Sequence, residues 1–432
     1  MVMAPRASRF PCGHAGIVTA AMVTPDLTST ARGATFPCFD GLRAIAALSV
    51  AITHSAFISG FNVRSSGWGA ITARMDIGVA VFFVISGFLL YRPFVAARLA
   101  GAPGPGVASF ARRRILRIFP AYWLVLTTVY VVPQLRGIGF DDFSADNVVA
   151  HYLLLHTYDI GFGLVPVQQA WTLVTELAFY ALLPLYAAVL ARRRSTRAQM
   201  LRDEFLALGA LFVVGLLSRT FVLFAIDHPG WRGFSNLWLP ARLDHFAFGM
   251  LLAVLSVWHR ELGAEPRWSR HWSLPWISWG VSGATFVYLS IGFGLDEHRA
   301  QANFSQTQEW WLLFLWGVVG VTAVAPAVFG PQDRGVIRRF LRFGPVAWLG
   351  VVSYGIYLWH EAALDLFLRW RDLDLPNSFP EPYHFGLMTL FMLAVSIPLA
   401  AVSYYLVERP ALSLKNRPVR DWFRGSRRKA VA

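Results

Sequence analysis

The chain contains 432 residues, of which 56% are hydrophobic and only 15% are charged. Soluble proteins carry roughly 25% charged residues, so this composition excludes a water-soluble fold, and lipid is the expected solvent for most of the chain. In a soluble protein the formal net charge of +14 would indicate nucleic acid or another acidic partner. The positions of the charges along the sequence decide what this excess means.

Residues 1–38 lie ahead of the first long apolar run and predict a flexible cytoplasmic arm, because small, polar and proline residues dominate them. A short apolar patch at Ala15–Val23 weakly resembles a secretory signal peptide. Gly16 interrupts that patch and no clear cleavage site follows it. The arm is therefore the preferred interpretation.

Ten apolar runs follow, each of about 20 residues, the length at which a helix crosses ~30 Å of hydrocarbon. Backbone groups must be hydrogen-bonded within lipid, and these runs are much longer than barrel strands, so helices are predicted. The sequence therefore predicts an all-α, polytopic bundle of ten transmembrane helices within residues 39–408. The runs lie near residues 41–60, 76–93, 118–135, 171–191, 204–226, 237–258, 273–293, 310–329, 345–368 and 385–408.

The basic residues are distributed unequally between the two sides of this bundle. If the runs alternate across the membrane, 29 of the 39 Lys and Arg residues fall on the side that holds both termini. Such an excess marks the cytoplasmic side, so both termini are predicted to be cytoplasmic in a multi-pass protein of the plasma (inner) membrane. Residues 409–432 then form a basic cytoplasmic tail near anionic lipids, and no nucleic-acid partner is expected.

The first predicted helix contains two ionisable residues, Arg43 and His54. Ionisable side chains are costly in lipid, so each is a functional candidate. Eleven residues of helix place both side chains on one face about 16 Å apart, which makes a polar stripe from the cytoplasmic end to the outer half. A structural alternative stays open, in which Arg43 reaches the headgroups and His54 is a hydrogen-bonded interior histidine.

The third predicted helix is preceded by the basic segment RRRILRIFPAYW, in which Arg114 and Arg117 are three residues apart. This spacing places both side chains on one face of a helix. Paired guanidinium groups at a membrane surface are suited to binding phosphates. Basic residues at this position also fit a plain topological anchor.

The fourth predicted helix carries Glu176 in the run WTLVTELAFYALLP, at a depth similar to that of His54. A carboxylate beside an imidazole holds the ring in the tautomer required of a general base and stabilises the imidazolium that forms. The sequence therefore predicts a pair between His54 and Glu176. The alternative is a structural hydrogen bond between two helices.

Polar residues of the sixth and ninth predicted helices also fall in the outer half. Asp244 and His245 lie in the sixth, and Tyr357, His360 and Glu361 share a polar face of the ninth. A transport pathway would spread such groups along its length, whereas these fall at one depth. We interpret them as lining a reaction chamber beneath the outer surface.

Five of these segments together resemble the acyltransferase 3 family of integral-membrane O-acyltransferases, bacterial enzymes that acylate cell-surface sugars, glycolipids, peptidoglycan and some macrolide antibiotics. Each motif is weak alone, but five in order on a ten-helix pattern are specific. The chain ends soon after the last run, so it resembles the stand-alone form without an appended SGNH domain. The segments are FDGLRAIAALSVAITH (Phe39–His54), DIGVAVFFVISGFLLYRP (Asp76–Pro93), RRRILRIFPAYW (Arg112–Trp123), WTLVTELAFYALLP (Trp171–Pro184) and SYGIYLWH (Ser353–His360).

The resemblance implies an enzyme that moves an acetyl or other short acyl group from cytoplasmic acyl-coenzyme A to a hydroxyl of a cell-surface carbohydrate, glycolipid or macrolide-like acceptor. It matches Arg43 and His54 to the essential positions of the first helix, and Arg114 with Arg117 to a motif implicated in donor handling. Glu176 matches the acidic position of the fourth helix. We therefore expect His54 and Glu176 to be catalytic and the three arginines to bind the acyl donor.

Further residues are expected to bind the acceptor or support the site: Asp76, Asp244, His245, Tyr357 and His360. Acyl-coenzyme A is expected as co-substrate, with membrane lipids as neighbours. No metal is expected, because the two cysteines suggest no metal-binding pattern.

Alternatives to this function remain at the level of sequence. His54 either deprotonates the acceptor hydroxyl or briefly carries the acyl group itself. A transporter or flippase of a lipid or glycoconjugate explains the helices and buried charges, and a non-catalytic scaffold explains the hydrophobicity alone. Within enzymes, N-acylation of an amino sugar would use the same donor.

Overall fold

The structure of the chain is a computed structural model that describes residues 36–64, 66–135, 144–193, 196–261, 271, 273–293, 304–371 and 383–416. All secondary structure within these residues is helical, and they contain no β-strand. The predicted all-α class is therefore confirmed for the described chain. Most of the predicted arm (residues 1–35) and of the predicted tail (residues 417–432) lies outside the described residues.

Ten helices of the described chain have 15 or more residues, and each overlaps one of the ten apolar runs. Their bounds are α1 Phe39–Ile58, α2 Gly78–Leu99, α3 Val107–Leu126, α4 Trp171–Ala191, α5 Arg197–Ala225, α6 Leu243–Glu261, α7 Ser273–Val287, α8 Gln306–Val328, α9 Ser353–Trp370 and α10 Tyr383–Ser403.

Shorter helical segments connect or extend these ten. The α-helical segments are Phe61–Arg64, Ser66–Ala73, Val132–Leu135, Ala145–Tyr152, Pro229–Ser235, Val336–Leu341, Gly344–Val351 and Arg409–Ser413. The 3₁₀ segments are Met75–Ile77, His156–Tyr158, Ile160–Phe162, Gln168–Ala170, Leu239–Arg242 and Leu414–Asn416, and the π-helical turns are Thr127–Val131, Tyr288–Gly292 and Tyr404–Glu408.

Local sequence signals set where several helices begin. Thr196 with Gln199 forms a capping box at the start of α5, and Ser305 with Gln308 forms another at the start of α8. In each box the hydroxyl and the amide side chain bond backbone N–H groups that the first helical turn leaves without partners. These signals explain why α5 begins at residue 197, earlier than its apolar run.

Eight helices of the described chain are long and apolar enough to cross a membrane: Phe39–Ile58, Gly67–Leu99, Val107–Val131, Gln168–Ala191, Arg197–Ala225, Leu239–His259, Gln306–Val328 and His384–Ser413. The multi-pass membrane character is thereby supported. The count of ten spans and the cytoplasmic placement of the termini stay predictions.

Two of the ten predicted spans are not among those eight helices. The seventh is the 15-residue helix α7 followed by a five-residue π-helical turn. The ninth is divided by a bend at Val352 into Gly344–Val351 and α9. Ser353 donates a hydrogen bond to the carbonyl of Gly350 at 2.8 Å across this bend. The first of these pieces packs on α1.

Helix α2 is at the centre of the described bundle and packs against α1, α4, α6 and α8. Its closest neighbour is α6, and the two cross where Gly87 and Gly249 leave out a side chain. A Cβ atom at Gly249 would overlap the Val84 carbonyl oxygen, and one at Gly87 would overlap the Phe246 carbonyl oxygen. Small residues permit this close approach, as is usual for helices packed in membranes. The crossing holds α2 where it forms one wall of a polar cavity.

Candidate active site

A cavity lies between α1, α2, α3, α4 and α9. Each helix contributes residues to the wall, and the apolar part comes mainly from Val79, Phe82 and Phe83 of α2. The predicted donor-binding arginines all line this one cavity, together with Glu176. The polar side chains of its wall include Arg43, Ser86, Arg114, Arg117, Glu176 and Tyr180.

The three arginines differ in how their charge is balanced. Arg43 contacts Asp40 at 3.2 Å, and Arg117 contacts Glu408 at 3.4 Å. Among the residues that the structure describes, Arg114 has no carboxylate partner. Its guanidinium carbon lies 5.8 Å from the centre of the Phe110 ring and 5.9 Å from that of Tyr180. Aromatic faces attract a guanidinium, so the two rings hold Arg114 in place and leave its donors available to a ligand.

Glu176 faces the cavity and accepts two short hydrogen bonds. Ser86 donates its Oγ hydroxyl to Glu176 Oε1 at 2.6 Å, and Tyr180 donates its phenolic hydroxyl to Oε2 at 2.8 Å. These two bonds join α4 to α2 and to the next turn of α4 itself. Glu176 is thus oriented by neutral hydroxyls on the wall of the cavity.

The predicted pair between His54 and Glu176 is wrong. His54 instead contacts two consecutive residues of α9: its Nδ1 lies 2.7 Å from His360 Nε2 and 3.1 Å from Glu361 Oε1. The physical reason is helix packing, because α1 packs on α9 whereas α4 packs on α2. Similar depth in the membrane did not make the two residues neighbours.

The cluster of His54, His360 and Glu361 is largely shielded from solvent. His360 is fully buried, while the side chains of His54 and Glu361 are 25% and 19% exposed. The two imidazole rings are stacked, with 5.0 Å between their centres and 24° between their planes. One ligand atom from each of the three residues falls within 4.8 Å of the others, a spacing that could also hold a metal ion.

Tyr357 lies between this cluster and the cavity. It lines the cavity, and its ring centre is 5.9 Å from that of His360. Its hydroxyl is 3.0 Å from the Thr172 hydroxyl and donates to the Gln169 carbonyl at 3.2 Å. The predicted residues of the fourth and ninth helices are therefore connected, but through tyrosine and threonine rather than through Glu176.

Asp244 and His245 are not part of the cavity wall. Asp244 forms an ion pair with Arg219 of α5 at 2.6 Å, and both side chains are fully buried. His245 Nε2 lies 2.8 Å from the carbonyl oxygen of Leu313, on α8. These contacts join α5, α6 and α8, so the structure does not bring this pair into the expected single cluster.

Asp76 stands in the 3₁₀ turn Met75–Ile77 that leads into α2. Its Oδ1 atom is buried without a hydrogen-bond partner in the described residues. It interacts electrostatically with Arg74 and with His54. Asp76 therefore belongs to the surroundings of the histidine cluster rather than to the cavity.

Comparison with known protein families matches residues 36–401 to a family described as an acyltransferase domain. A peptidoglycan O-acetyltransferase, OatA, from Listeria monocytogenes is 24% identical over 87% of this chain and 55% of its own length. A putative membrane-bound transacylase, BcsY, from Komagataeibacter xylinus is 27% identical over 90% of this chain and 86% of its own.

An acyltransferase from Streptomyces mycarofaciens, MdmB, is 25% identical over 89% of this chain and 94% of its own length. The chain spans about half the length of the two peptidoglycan O-acetyltransferase relatives, one of them putative. No solved structure matches this chain. The resemblance noted in the sequence and the match over residues 36–401 point to the same family.

Proposed function

The chain belongs to this acyltransferase family, and we propose that it is an acyl-transferring enzyme. In this proposal it moves an acetyl or other short acyl group from cytoplasmic acyl-coenzyme A to a hydroxyl of a cell-surface carbohydrate, glycolipid or macrolide-like acceptor. The observation that carries the proposal is the convergence of Arg43, Arg114 and Arg117 with Glu176 on one cavity. Relatives described as peptidoglycan O-acetyltransferases support a hydroxyl acceptor on a surface carbohydrate. The proposed location is the plasma (inner) membrane.

The donor end of the proposed site is the arginine group. Phosphates favour guanidinium groups because planar N–H donors form charge-assisted, often bidentate, hydrogen bonds with their oxygens. Arg114 pairs with no carboxylate of the described chain, and Arg43 and Arg117 share the same cavity. The phosphates of coenzyme A bind there, and its long thin arm extends along α1 toward His54, about 16 Å away by helical rise.

The chemical step in this proposal is general-base transfer. His54 takes the proton of the acceptor hydroxyl as the hydroxyl oxygen forms a bond to the thioester carbonyl carbon. The carbon–sulfur bond then breaks, the coenzyme A sulfur leaves as a thiolate, and the imidazolium returns the proton to it. The products are an ester and free coenzyme A thiol.

The test uses the purified full chain in lipid nanodiscs with acetyl-coenzyme A and a panel of peptidoglycan fragments, glucan oligosaccharides and macrolides. Ester formation is followed by mass spectrometry, and free coenzyme A by a thiol reagent. His54→Ala is expected to bind radiolabelled acetyl-coenzyme A but to transfer about 10²–10⁴-fold more slowly. The matched control is His271→Ala, which changes an exposed histidine ahead of α7 and should transfer normally.

Near-normal transfer by His54→Ala would remove the histidine from the reaction. Failure of the wild-type protein to release thiol and form an ester with every acceptor, together with movement of a labelled lipid across the membrane, would replace the enzyme with the transporter alternative.

A further inference from the structure

Two side chains from α9 contact a single nitrogen of His54. His360 Nε2 lies 2.7 Å from His54 Nδ1, and Glu361 Oε1 lies 3.1 Å from the same atom. An ionised carboxylate has no proton to donate, so the contact with Glu361 is favourable only when His54 Nδ1 carries the proton. His360 Nε2, on the same proton, is then also an acceptor.

This arrangement fixes the tautomer of His54. With the proton on Nδ1, the lone pair of the neutral ring is on Nε2, which is the nitrogen able to accept a proton. When Nε2 accepts a proton, the ring becomes an imidazolium, and the neighbouring carboxylate of Glu361 balances its positive charge. In Ser-His-Asp triads, the aspartate accepts the Nδ1 hydrogen bond of the histidine in the same way, holding the tautomer and stabilising the imidazolium.

The part of α9 that carries both residues is held firmly. Gln169 donates its side-chain amide to the backbone carbonyls of Tyr357 at 3.2 Å and Leu358 at 2.9 Å. Tyr357 in turn is bonded to Thr172. The segment ahead of α4 and the first turn of α4 therefore fix the turn of α9 that precedes His360. Precise placement of this kind is what a catalytic group requires of its supporting residues.

We infer that Glu361 and His360 are the positioning residues of His54: they hold its Nδ1 proton, direct Nε2 to the acceptor hydroxyl, and stabilise the imidazolium until its Nε2 proton passes to the coenzyme A thiolate. The inference rests on the proposed function. It assigns the support of His54 to α9, and it leaves Glu176 to the donor cavity. The Nδ1 proton does not leave His54 during the reaction.

Other charges near His54 must be separated from this effect. Within the part of the chain that the structure describes, the charged or titratable groups that contact His54 are His360 and Glu361 of α9, and Asp76 from the turn before α2 interacts with it electrostatically. On the side of α10, the residue after His54, Ser55, contacts the neutral Thr389, at 2.7 Å between the hydroxyls. A loss of negative charge alone is therefore reproduced by Asp76→Asn, whereas a loss of the Nδ1 contact is specific to Glu361.

The experiment compares carboxylate-to-amide variants of the full chain in nanodiscs, with acetyl-coenzyme A and the acceptor that the wild type uses. Glu361→Gln is expected to lower kcat about 10²–10⁴-fold while changing the KM for acetyl-coenzyme A less than about threefold, because the lost interaction is made in the transition state. The acid limb of kcat/KM should move to lower pH, since the imidazolium loses its carboxylate. Glu361→Asp, which keeps the charge, should recover part of kcat.

Three matched controls use the same chemical change elsewhere. Asp365→Asn alters an exposed carboxylate one turn along α9 that pairs with Arg369, and it should behave as wild type. Glu176→Gln alters the carboxylate that Ser86 and Tyr180 contact, and it should leave the acid limb in place. Asp76→Asn should move the acid limb slightly without the large fall in kcat.

Three results would overturn the inference. Wild-type kcat and pH profile in Glu361→Gln, with His54→Ala inactive, would remove the positioning role and leave the proposed function standing. Activity in His54→Ala would remove both. One tightly bound divalent metal ion per chain, lost in Glu361→Gln and needed for transfer, would make the three groups metal ligands instead. If Glu361→Gln does not fold, His360→Gln is the second test, and a wild-type kcat and pH profile in that variant also overturns the inference.

Discussion

Arg117 and Arg114 occupy the same helix and the same cavity but have different surroundings. Arg117 is paired with Glu408, whose side chain is 2% exposed. Removing one partner of a buried pair leaves the other charge uncompensated, which typically costs 3–5 kcal/mol. Substitution of Arg117 would therefore disturb the fold as well as the ligand site. Arg114, held by aromatic rings, is the better probe of donor binding.

We expect Arg114→Ala to raise the KM for acetyl-coenzyme A about 10–100-fold with kcat little changed, because charge-assisted hydrogen bonds contribute roughly 1.5–3 kcal/mol each. Steady-state kinetics with varied donor concentration measures the effect. Arg113→Ala, which removes the neighbouring arginine outside the cavity wall, is the control and should keep a KM near that of wild type. An Arg114→Ala variant with reduced kcat and unchanged KM would contradict a donor-binding role.

Helix α2 shows how element packing positions these residues. Its crossing with α6 at Gly87 and Gly249 brings the two backbones into contact. Helix α2 also supplies Ser86 and the apolar wall of the cavity. A change in the distance between α2 and α6 is therefore transmitted to the partner of Glu176.

Substitution of Gly249 by Ala should destabilise the protein by roughly 1–3 kcal/mol, the usual cost of overpacking a close contact. The new methyl group would overlap the Val84 carbonyl, so the helices must separate. Thermal unfolding in detergent should show a lower Tm, and acyl transfer should fall because Ser86 moves. Gly209→Ala on α5 has open space around the added methyl and should unfold like wild type. Equal Tm values for both variants would refute this account of the crossing.

Sequence patterns predicted where the helices lie along the chain better than which helices pack against one another. Hydrophobic runs identified ten segments, and each overlaps a helix of 15 or more residues. They could not reveal the bend at Val352, because the apolar run 345–368 continues across it. They also could not reveal that His54 meets His360, because depth along a helix says nothing about which helix is adjacent. The polar face of α9 had nevertheless marked His360 and Glu361 as candidates.

For the whole molecule, the distribution of charge remains the evidence for orientation. The excess of Lys and Arg on alternate loops predicts that the loop before α6 is outside the cell and the loop after α8 is inside.

The residues of the cavity wall came from five separate motifs that the sequence resemblance identified together. What the sequence could not supply was how α3 meets the π-helical turn after α10, where Arg117 pairs with Glu408 across 291 residues.

Single cysteines introduced in a Cys12→Ser, Cys38→Ser background test the predicted orientation. Asp227→Cys and Asp333→Cys both replace exposed aspartates, one ahead of α6 and one after α8. In intact cells a membrane-impermeant maleimide should label the first and spare the second, and permeabilised cells should label both. The reverse pattern would invert the topology and move the proposed donor site to the wrong side for cytoplasmic acyl-coenzyme A.

The contact between His54 and His360 also has a consequence for biosynthesis. The two residues are 306 positions apart, and ribosomes add about 5–20 residues per second. About 15 to 60 s therefore pass between the synthesis of His54 and that of His360, before the two residues can come into contact. Any nascent chain that stops short of α9 carries His54 without its supporting groups. The site around His54 is therefore completed late, only after almost the entire bundle has been inserted and assembled.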